Sequence, residues 1–281
     1  MKAADLIAKA NYLKAPSPVV VQLLARLSGP EGDNDEIIRI IEQDATISAK
    51  ILGLCNAAVY GLATPMSSIA QAVLYLGHSE IHRLALNAGF NDKLSPALNG
   101  YAISEGELWQ HSLLTALVAV MLAENTSEPV MDPAIAYTGG LIHDIGKVVI
   151  SRAITPELRD RVLELVEQKQ QTLIAAERAV LGTDHAEVGA ALLEKWRLPK
   201  ILIEAVAYHH RPATRPLKLS ALVHVADLIA HEAGFAVSIG GAEAKADADA
   251  LAALELQPDD VAALIARADN ALMVVKQAAP I

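Results

Sequence analysis

The sequence predicts an all-α fold, and three observations support that prediction. Hydrophobic residues make up 53% of the 281 residues, whereas aromatic residues make up only 4%. Alanine, leucine, isoleucine and valine dominate, and together they favour helices and supply enough apolar surface for a large core. Apolar positions recur at helical spacing, and no stretch alternates with the period of two that is typical of strands. The length suits one large domain or two lobes.

Charge and cysteine content argue against several classes of protein. The net charge of −10 and the pI near 5.4 argue against a nucleic-acid surface, which requires clusters of lysine and arginine. The single cysteine, Cys55, is interpreted as a small buried hydrophobic residue, and it suits a reducing compartment such as the cytoplasm. No apolar run reaches the ~18 residues expected of a membrane span, and charge interrupts the N-terminal segment, unlike a signal peptide.

The first hundred residues are predicted to form an N-terminal lobe of short helices. Ser17, followed by proline, is suited to begin a helix, and Asp33 with Glu36 forms a capping-box-like pair. Asp44 is suited to cap the next helix, and Gly77 stands where a helix would end. The predicted helices cover residues 2–13, 18–27, a segment after 33 that contains isoleucines 37, 38, 40 and 41, 45–55, 67–76 and 79–88.

A junction at residues 95–100 separates this lobe (residues 1–100) from a second lobe (residues 101–281). Ser104 and Glu107 repeat the capping-box spacing at the start of a long apolar helix. A Gly/Ala-rich segment at residues 235–246 is predicted to be a loop. The predicted helices of the second lobe cover about residues 105–124, 132–144, 156–169, 173–181, 184–196, 199–208, 217–232 and 258–276.

Histidine and aspartate residues occur along the second lobe where a helical metal site would need them. His143 and Asp144 are adjacent, and imidazole nitrogen with carboxylate oxygen favours Zn, Fe or Mn over an ion that prefers oxygen alone. Asp227 lies in an apolar run, where its carboxylate would carry a large desolvation cost unless it is paired or bound to metal. The candidate ligands are His111, His143, Asp144, His185, His209, His210 and Asp227.

Each candidate also has a simpler structural interpretation. An adjacent His-Asp pair is more often a hydrogen-bonded structural pair, and His111 alone would more often be a core histidine. His185 could simply start a helix, and Lys147 could be a solvated lysine near a helix end. The ordered set, rather than any single member, favours a metal site.

Three further histidines are interpreted as surface residues. His78 and His82 are four apart and could chelate, but charged neighbours favour a solvated face. His231, near a predicted helix end, is also interpreted as a surface residue.

The order of the candidate ligands resembles the HD superfamily of metal-dependent phosphohydrolases. His143-Asp144-Ile145-Gly146-Lys147 matches the HDxGK form of that superfamily, and His111-Ser112 resembles its upstream His-Ser. The adjacent pair His209-His210 resembles the HD-GYP phosphodiesterase branch. However, the segment that follows the pair, residues 211–216, is short and contains no Gly-Tyr-Pro, which argues against cyclic-di-GMP hydrolysis.

The first hundred residues resemble a narrower family, HDOD (HD-related output domain). Pro16-Ser17-Pro18 and residues 40–52, 56–61 and 68–77 carry this resemblance, and the likeness extends to about His231. It implies an N-terminal helical lobe packed on an HD-like helical bundle. It also implies a bacterial signalling module, often regulatory, that acts through other signalling proteins. Many HDOD proteins have lost metal ligands, whereas every matched position here carries histidine or aspartate.

The superfamily pattern implies a centre for one or two divalent ions, of Fe, Mn or Zn. It assigns the first ion to His111, His143, Asp144 and Asp227, and it assigns the second to Asp144, His185, His209 and His210. Asp144, as the bridge, and Lys147, which would stabilise negative charge on a phosphate, are the catalytic candidates. Two functions remain: a regulatory HDOD module with a retained metal site, and a metal-dependent phosphohydrolase or phosphodiesterase that acts on a nucleotide or another phosphate ester.

Overall fold

The computed structural model describes residues 3–10, 12–26, 34–57, 62, 64–124, 131–214, 217–237, 247–257 and 260–268. All regular structure in these ranges is helical, apart from an isolated bridge between Leu98 and Ile103. The prediction of an all-α fold is therefore confirmed. Within the same ranges, no helix combines the length and the hydropathy that a bilayer crossing requires.

The helices follow one another with short connections. The N-terminal lobe contains α1 (Ala3–Lys9), α2 (Pro18–Arg26), α3 (Asn34–Glu42), α4 (Ala45–Cys55) and α5 (Ile69–Leu94). The second lobe contains α6 (Glu107–Glu124), α7 (Pro133–Ile142), α8 (Ile145–Ala153), α9 (Pro156–Glu167), α10 (Leu173–Leu181), α11 (His185–Lys195), α12 (Lys200–Tyr208), α13 (Lys218–Glu232), α14 (Ala248–Ala253) and α15 (residues 260–268). Two 3₁₀ turns lie at Asn99–Tyr101 and Pro212–Thr214.

The caps predicted from the sequence form at several helix starts. Asp44 accepts two backbone N–H groups at 2.9 and 3.1 Å at the start of α4. Ser17 donates a 2.5 Å hydrogen bond to the Asp44 carboxylate and thereby joins the starts of α2 and α4. Gly77, with φ 78° and ψ 171°, interrupts α5, so the two helices predicted there are its two halves. Asp33 lies outside the described residues.

The sequence prediction missed α8 and α14, and it made the first helix longer than α1. Only His143 and Asp144 separate α7 from α8, and the Asp144 side chain makes no capping bond there. Gly146, at the second position of α8, reads as a helix breaker in sequence. Its place is explained by packing, because a Cβ at Gly146 would lie 1.9 Å from the carbonyl oxygen of His185.

The second lobe packs so that the histidine-bearing helix ends converge. Helices α6, α7 and α13 pack on one another, α11 packs on α8 and α12, and α12 joins these sets through α7 and α13. Glycine permits a second close approach, because a Cβ at Gly140 would lie 2.7 Å from the Cα of Ala116. The contacts of α8 with α11 and of α7 with α6 are therefore backbone contacts.

The N-terminal lobe packs directly on the helices that surround this convergence. Helix α1 lies against α8 and α11, and α5 lies against α7. The guanidinium of Arg152 stands 4.6 Å from the ring centroid of Tyr12, and Tyr137 donates a 2.7 Å hydrogen bond to Asn87. One hydrophobic core contains residues of both lobes. The division at residue 100 stays a prediction.

Candidate metal centre

All seven residues predicted as ligands lie together at one centre in the second lobe. They come from the interior of α6 and α13, from the link between α7 and α8, from the start of α11 and from the end of α12. In that order they are His111, Asp227, His143 with Asp144, His185, and His209 with His210. Their donor atoms form two groups, and Asp144 belongs to both.

The first group surrounds one oxygen of Asp144. The Nε2 atoms of His111 and His143 are 3.2 Å apart. Asp227 Oδ1 lies 3.1 Å from the Nε2 of His111 and 3.5 Å from that of His143. Asp144 Oδ2 lies 3.7 and 3.5 Å from the same two nitrogens. Two imidazoles and two carboxylates thus present donor atoms to one small volume.

The second group surrounds the other oxygen of Asp144. Asp144 Oδ1 lies 3.2 Å from the Nε2 of His185 and 3.9 Å from that of His209. The Nε2 atoms of His185 and His210 are 2.9 Å apart. Each oxygen of Asp144 therefore faces a different group, which is the arrangement of a bridging carboxylate.

Hydrogen bonds on the outer side fix four of these rings. Carbonyl and carboxylate oxygens accept these bonds, so each Nδ1 carries a hydrogen and each Nε2 faces inward, where it can bind either a proton or a metal ion. The bonds run from His111 to the Phe235 carbonyl, from His143 to the Gly140 carbonyl and from His209 to the Val206 carbonyl, each at 2.7 Å, and from His185 to Glu177 at 2.9 Å.

The inward-facing atoms lack ordinary hydrogen-bond partners. Among the described residues, none accepts or donates a hydrogen bond at Asp144 Oδ1, Asp227 Oδ1 or His209 Nε2, although all three atoms are buried. Two lone pairs that face each other, as in His111 and His143, repel unless a proton or a cation lies between them. Buried polar atoms of this kind call for an explanation, and a divalent cation satisfies all of them at once.

Without a metal, protons supply part of the positive charge. Burial disfavours charged His143, but Asp144 and Asp227 outweigh that effect and raise the pKa of His143 to about 10. Burial likewise opposes a charge on His185, but Glu177 and Asp144 raise its pKa to about 9. The centre therefore favours a cationic occupant, either a proton or a metal ion.

Lys147 belongs to the centre rather than to the solvent. Its side chain is buried, its Nζ donates to Asp144 Oδ2 at 2.6 Å, and a longer bond of 3.4 Å reaches the Val237 carbonyl. Burial alone would raise the pKa of Asp144, but Lys147 and His143 hold it well below its usual range. The interpretation of Lys147 as a solvated lysine is wrong.

His231 is only one quarter exposed and its ring contacts the centre, which its interpretation as a surface residue did not predict. Its Nε2 lies 3.5 Å from Asp227 Oδ1, and its ring meets the ring of His111 edge-on, with centroids 5.2 Å apart. Burial lowers the pKa of His231 to about 4, so the ring is neutral near pH 7. The sequence carried a signal for this placement, because residues four apart share one helix face.

His82 is buried, which contradicts its predicted place on a solvated face. It donates a 3.0 Å hydrogen bond from Nδ1 to the His78 carbonyl, and burial lowers its pKa. The His78 ring instead bonds to Asn34. The two histidines therefore do not chelate together.

Sequence reasoning missed two residues that support the ligands from behind. Glu177 is fully buried and accepts hydrogen bonds from the backbone N–H of His185 at 2.8 Å and from the Tyr101 hydroxyl at 2.5 Å. His224 donates from Nδ1 to the carbonyl of His209 at 2.8 Å. Neither role has a local sequence signal, because each depends on how separate helices pack.

Comparison with known proteins relates the chain to others of the same fold. A solved HDOD domain protein of unknown function from Geobacter sulfurreducens is 25% identical with a TM-score of 0.78, covering 99% of this chain and 97% of that one. An uncharacterized protein of Treponema pallidum is 25% identical over 204 residues, which are 73% of this chain and 39% of the relative. Ribonuclease Y of Thermus thermophilus is 30% identical over 120 residues, which are 43% of this chain and 16% of that enzyme. The chain spans well under half the length of these two curated relatives.

The sequence profile of the HDOD domain matches residues 13–212. This range covers most of the chain, from the segment before α2 to the residues just after the His209-His210 pair. It includes every candidate ligand except Asp227, which lies in the following helix, α13. The chain therefore belongs to the HDOD domain family.

Proposed function

We propose that the chain is a regulatory HDOD module that binds divalent metal at this centre and signals through its N-terminal lobe. One observation carries the metal part of the proposal. Four imidazoles direct their Nε2 atoms inward while their Nδ1 atoms donate hydrogen bonds outside, and buried oxygens of Asp144 and Asp227 face the same volume without hydrogen bonds. This donor set fits Fe, Mn or Zn.

The two groups would hold two ions that share Asp144. The first ion would be held by His111, His143, Asp144 and Asp227, and the second by Asp144, His185, His209 and His210. When bound, two ions would lower the pKa of a water molecule and offset the charge of a phosphoryl group. In the metal-free protein, Lys147 and the protonated histidines neutralise the carboxylates instead.

Burial of the centre supports regulation over turnover. His111 and His143 are fully buried. The ammonium group of Lys147 donates hydrogen bonds to Asp144 and to the Val237 carbonyl and does not face a substrate. Helix α1 of the N-terminal lobe packs against α8 and α11, which begin next to Asp144 and at His185. A change in metal content would thus reach the N-terminal lobe through direct contacts. Partner signalling proteins in the cytoplasm would read that change.

A second candidate function is a metal-dependent phosphodiesterase that acts on a nucleotide or another phosphate ester. The complete donor set favours it, since a module that only binds partners has no need to keep every ligand. The likeness to ribonuclease Y, over less than half of the chain, also favours it. Asp144 and Lys147 would then be the catalytic residues.

Two measurements test these proposals. The first is the metal content of the purified protein, and trace metal only, before and after loading, would contradict the metal centre. The second is hydrolysis of bis(p-nitrophenyl) phosphate with added Mn or Fe. The regulatory proposal expects stoichiometric metal and no turnover. Turnover that Asp144→Ala abolishes in a folded variant, while His78→Ala retains it, would establish the enzyme instead.

A further inference from the structure

The segment at the end of α13, residues 231–237, closes one side of the first group. His231 lies in the last turn of this helix, one turn after Asp227. Just beyond it, the Phe235 carbonyl accepts the hydrogen bond from His111, and the Val237 carbonyl accepts the longer bond from Lys147. The short segment 231–237 therefore contacts His111, Lys147 and Asp227.

His231 is more exposed to solvent than any ligand of the first group. Its side chain is 25% exposed, whereas the side chains of His111 and His143 are 0% exposed and that of Asp227 is 9% exposed. A molecule that approached the first group from this side would meet the imidazole of His231 before it met the other donors.

The geometry of His231 matches that of a ligand. Its Nε2 lies 3.5 Å from Asp227 Oδ1, the same separation that joins His143 to that oxygen. With His111 and Asp227 it forms a set whose donor atoms all lie within 4.8 Å of one another. Asp227 Oδ1 makes no hydrogen bond within the described part of the chain, so the contact with His231 is not an ordinary structural bond.

We propose that His231 is a further ligand of the first ion and occupies the solvent-facing position that a water molecule or a substrate oxygen would need. Structural metal sites fill their positions with protein ligands, whereas catalytic sites keep one open. The inference rests on the proposed metal centre and deepens it: His231 keeps phosphate esters away from the first ion and makes the centre a closed, regulatory one.

Cobalt binding tests this role without any measurement of activity. Metal-free wild type, His231→Ala, His231→Gln and His78→Ala would be titrated with Co²⁺, with affinity obtained by chelator competition and coordination followed by visible absorption. Circular dichroism and thermal unfolding would confirm that each variant is folded. His78→Ala is the matched control, since that ring bonds to Asn34 away from the centre.

We expect both His231 variants to bind the first Co²⁺ about tenfold more weakly or worse and to change its spectrum. Free imidazole should restore the wild-type spectrum in His231→Ala and leave wild type and His78→Ala unchanged. Glutamine separates ligation from positioning, because its amide can still donate to Asp227 but binds metal poorly. Wild-type behaviour of His231→Gln, or failure of imidazole to restore His231→Ala, would overturn the inference while leaving the metal centre intact. A wild type that binds no Co²⁺ would overturn both.

Discussion

Glu177 Oε2 accepts hydrogen bonds from both the backbone N–H and the Nδ1 of His185, at 2.8 and 2.9 Å. A buried carboxylate thus fixes both the start of α11 and the orientation of the ring whose Nε2 faces Asp144. Such a carboxylate orients a metal-binding histidine and increases its basicity.

Glu177→Gln should therefore weaken metal binding without removing a ligand. The amide keeps the size of the side chain but loses its negative charge, so we expect affinity at the second group to fall about 10–100-fold. Chelator competition would measure the change. Glu194→Gln, at an exposed position of α11, the helix that begins at His185, serves as the control. Equal affinity in both variants would contradict the role of Glu177.

Asp227→Ala should lower the metal content of the loaded protein by about one ion per chain, since the first group loses a carboxylate that neutralises its charge. Metal analysis after gel filtration would measure the stoichiometry. Asp160→Ala, whose native side chain is 62% exposed, should keep the wild-type value. Unchanged stoichiometry in Asp227→Ala would show that Asp227 is not a ligand.

Gly146→Ala should destabilise the protein strongly. The added Cβ would meet the His185 carbonyl oxygen at 1.9 Å, so α8 must move away from α11 at a cost of roughly 3 kcal/mol or more. Chemical denaturation would measure the loss. Gly53→Ala is the matched control, because its Cβ meets nothing within 4 Å and alanine should stabilise α4 by about 0.5–1 kcal/mol. Equal effects of the two substitutions would contradict the backbone contact.

The stability of the metal-free protein should fall as pH rises from 7 to 9. Against the effect of burial, neighbouring carboxylates raise the pKa of His143 to about 10 and that of His185 to about 9. Both values exceed the ~6.5 of an unfolded chain, so the stabilising charges are fully present below that pH and are lost as pH rises through the folded values. Urea unfolding in the presence of EDTA would measure the slope. Metal-loaded protein should show a smaller slope, since metal replaces the protons.

Local signals in the sequence made part of the fold and of the site predictable. Asp44 caps α4 as predicted, because a capping side chain acts on the N–H groups two and three residues ahead. The order of histidines and aspartates likewise indicated that they would converge. The superfamily pattern already implied that they would meet in one helical bundle.

Other features depended on distant packing and could not be predicted. Gly146 looks like a helix breaker until the backbone of α11 is seen beside it. His231 carried the spacing that pairs it with Asp227, but its place at a helix end favoured a surface interpretation. Glu177 becomes a partner of His185 only because the turn at residues 182–184 brings the start of α11 next to the middle of α10.

The donors of the centre come from segments that lie far apart in the chain, from His111 in α6 to Asp227 in α13. An ion held between them would act as a cross-link that closes a loop of more than a hundred residues. Such a loop is costly to close in an unfolded chain, so the ion would be captured late, after α6 and α13 have already met. Metal uptake during refolding would then report complete assembly of the second lobe, and metal release would require that lobe to open.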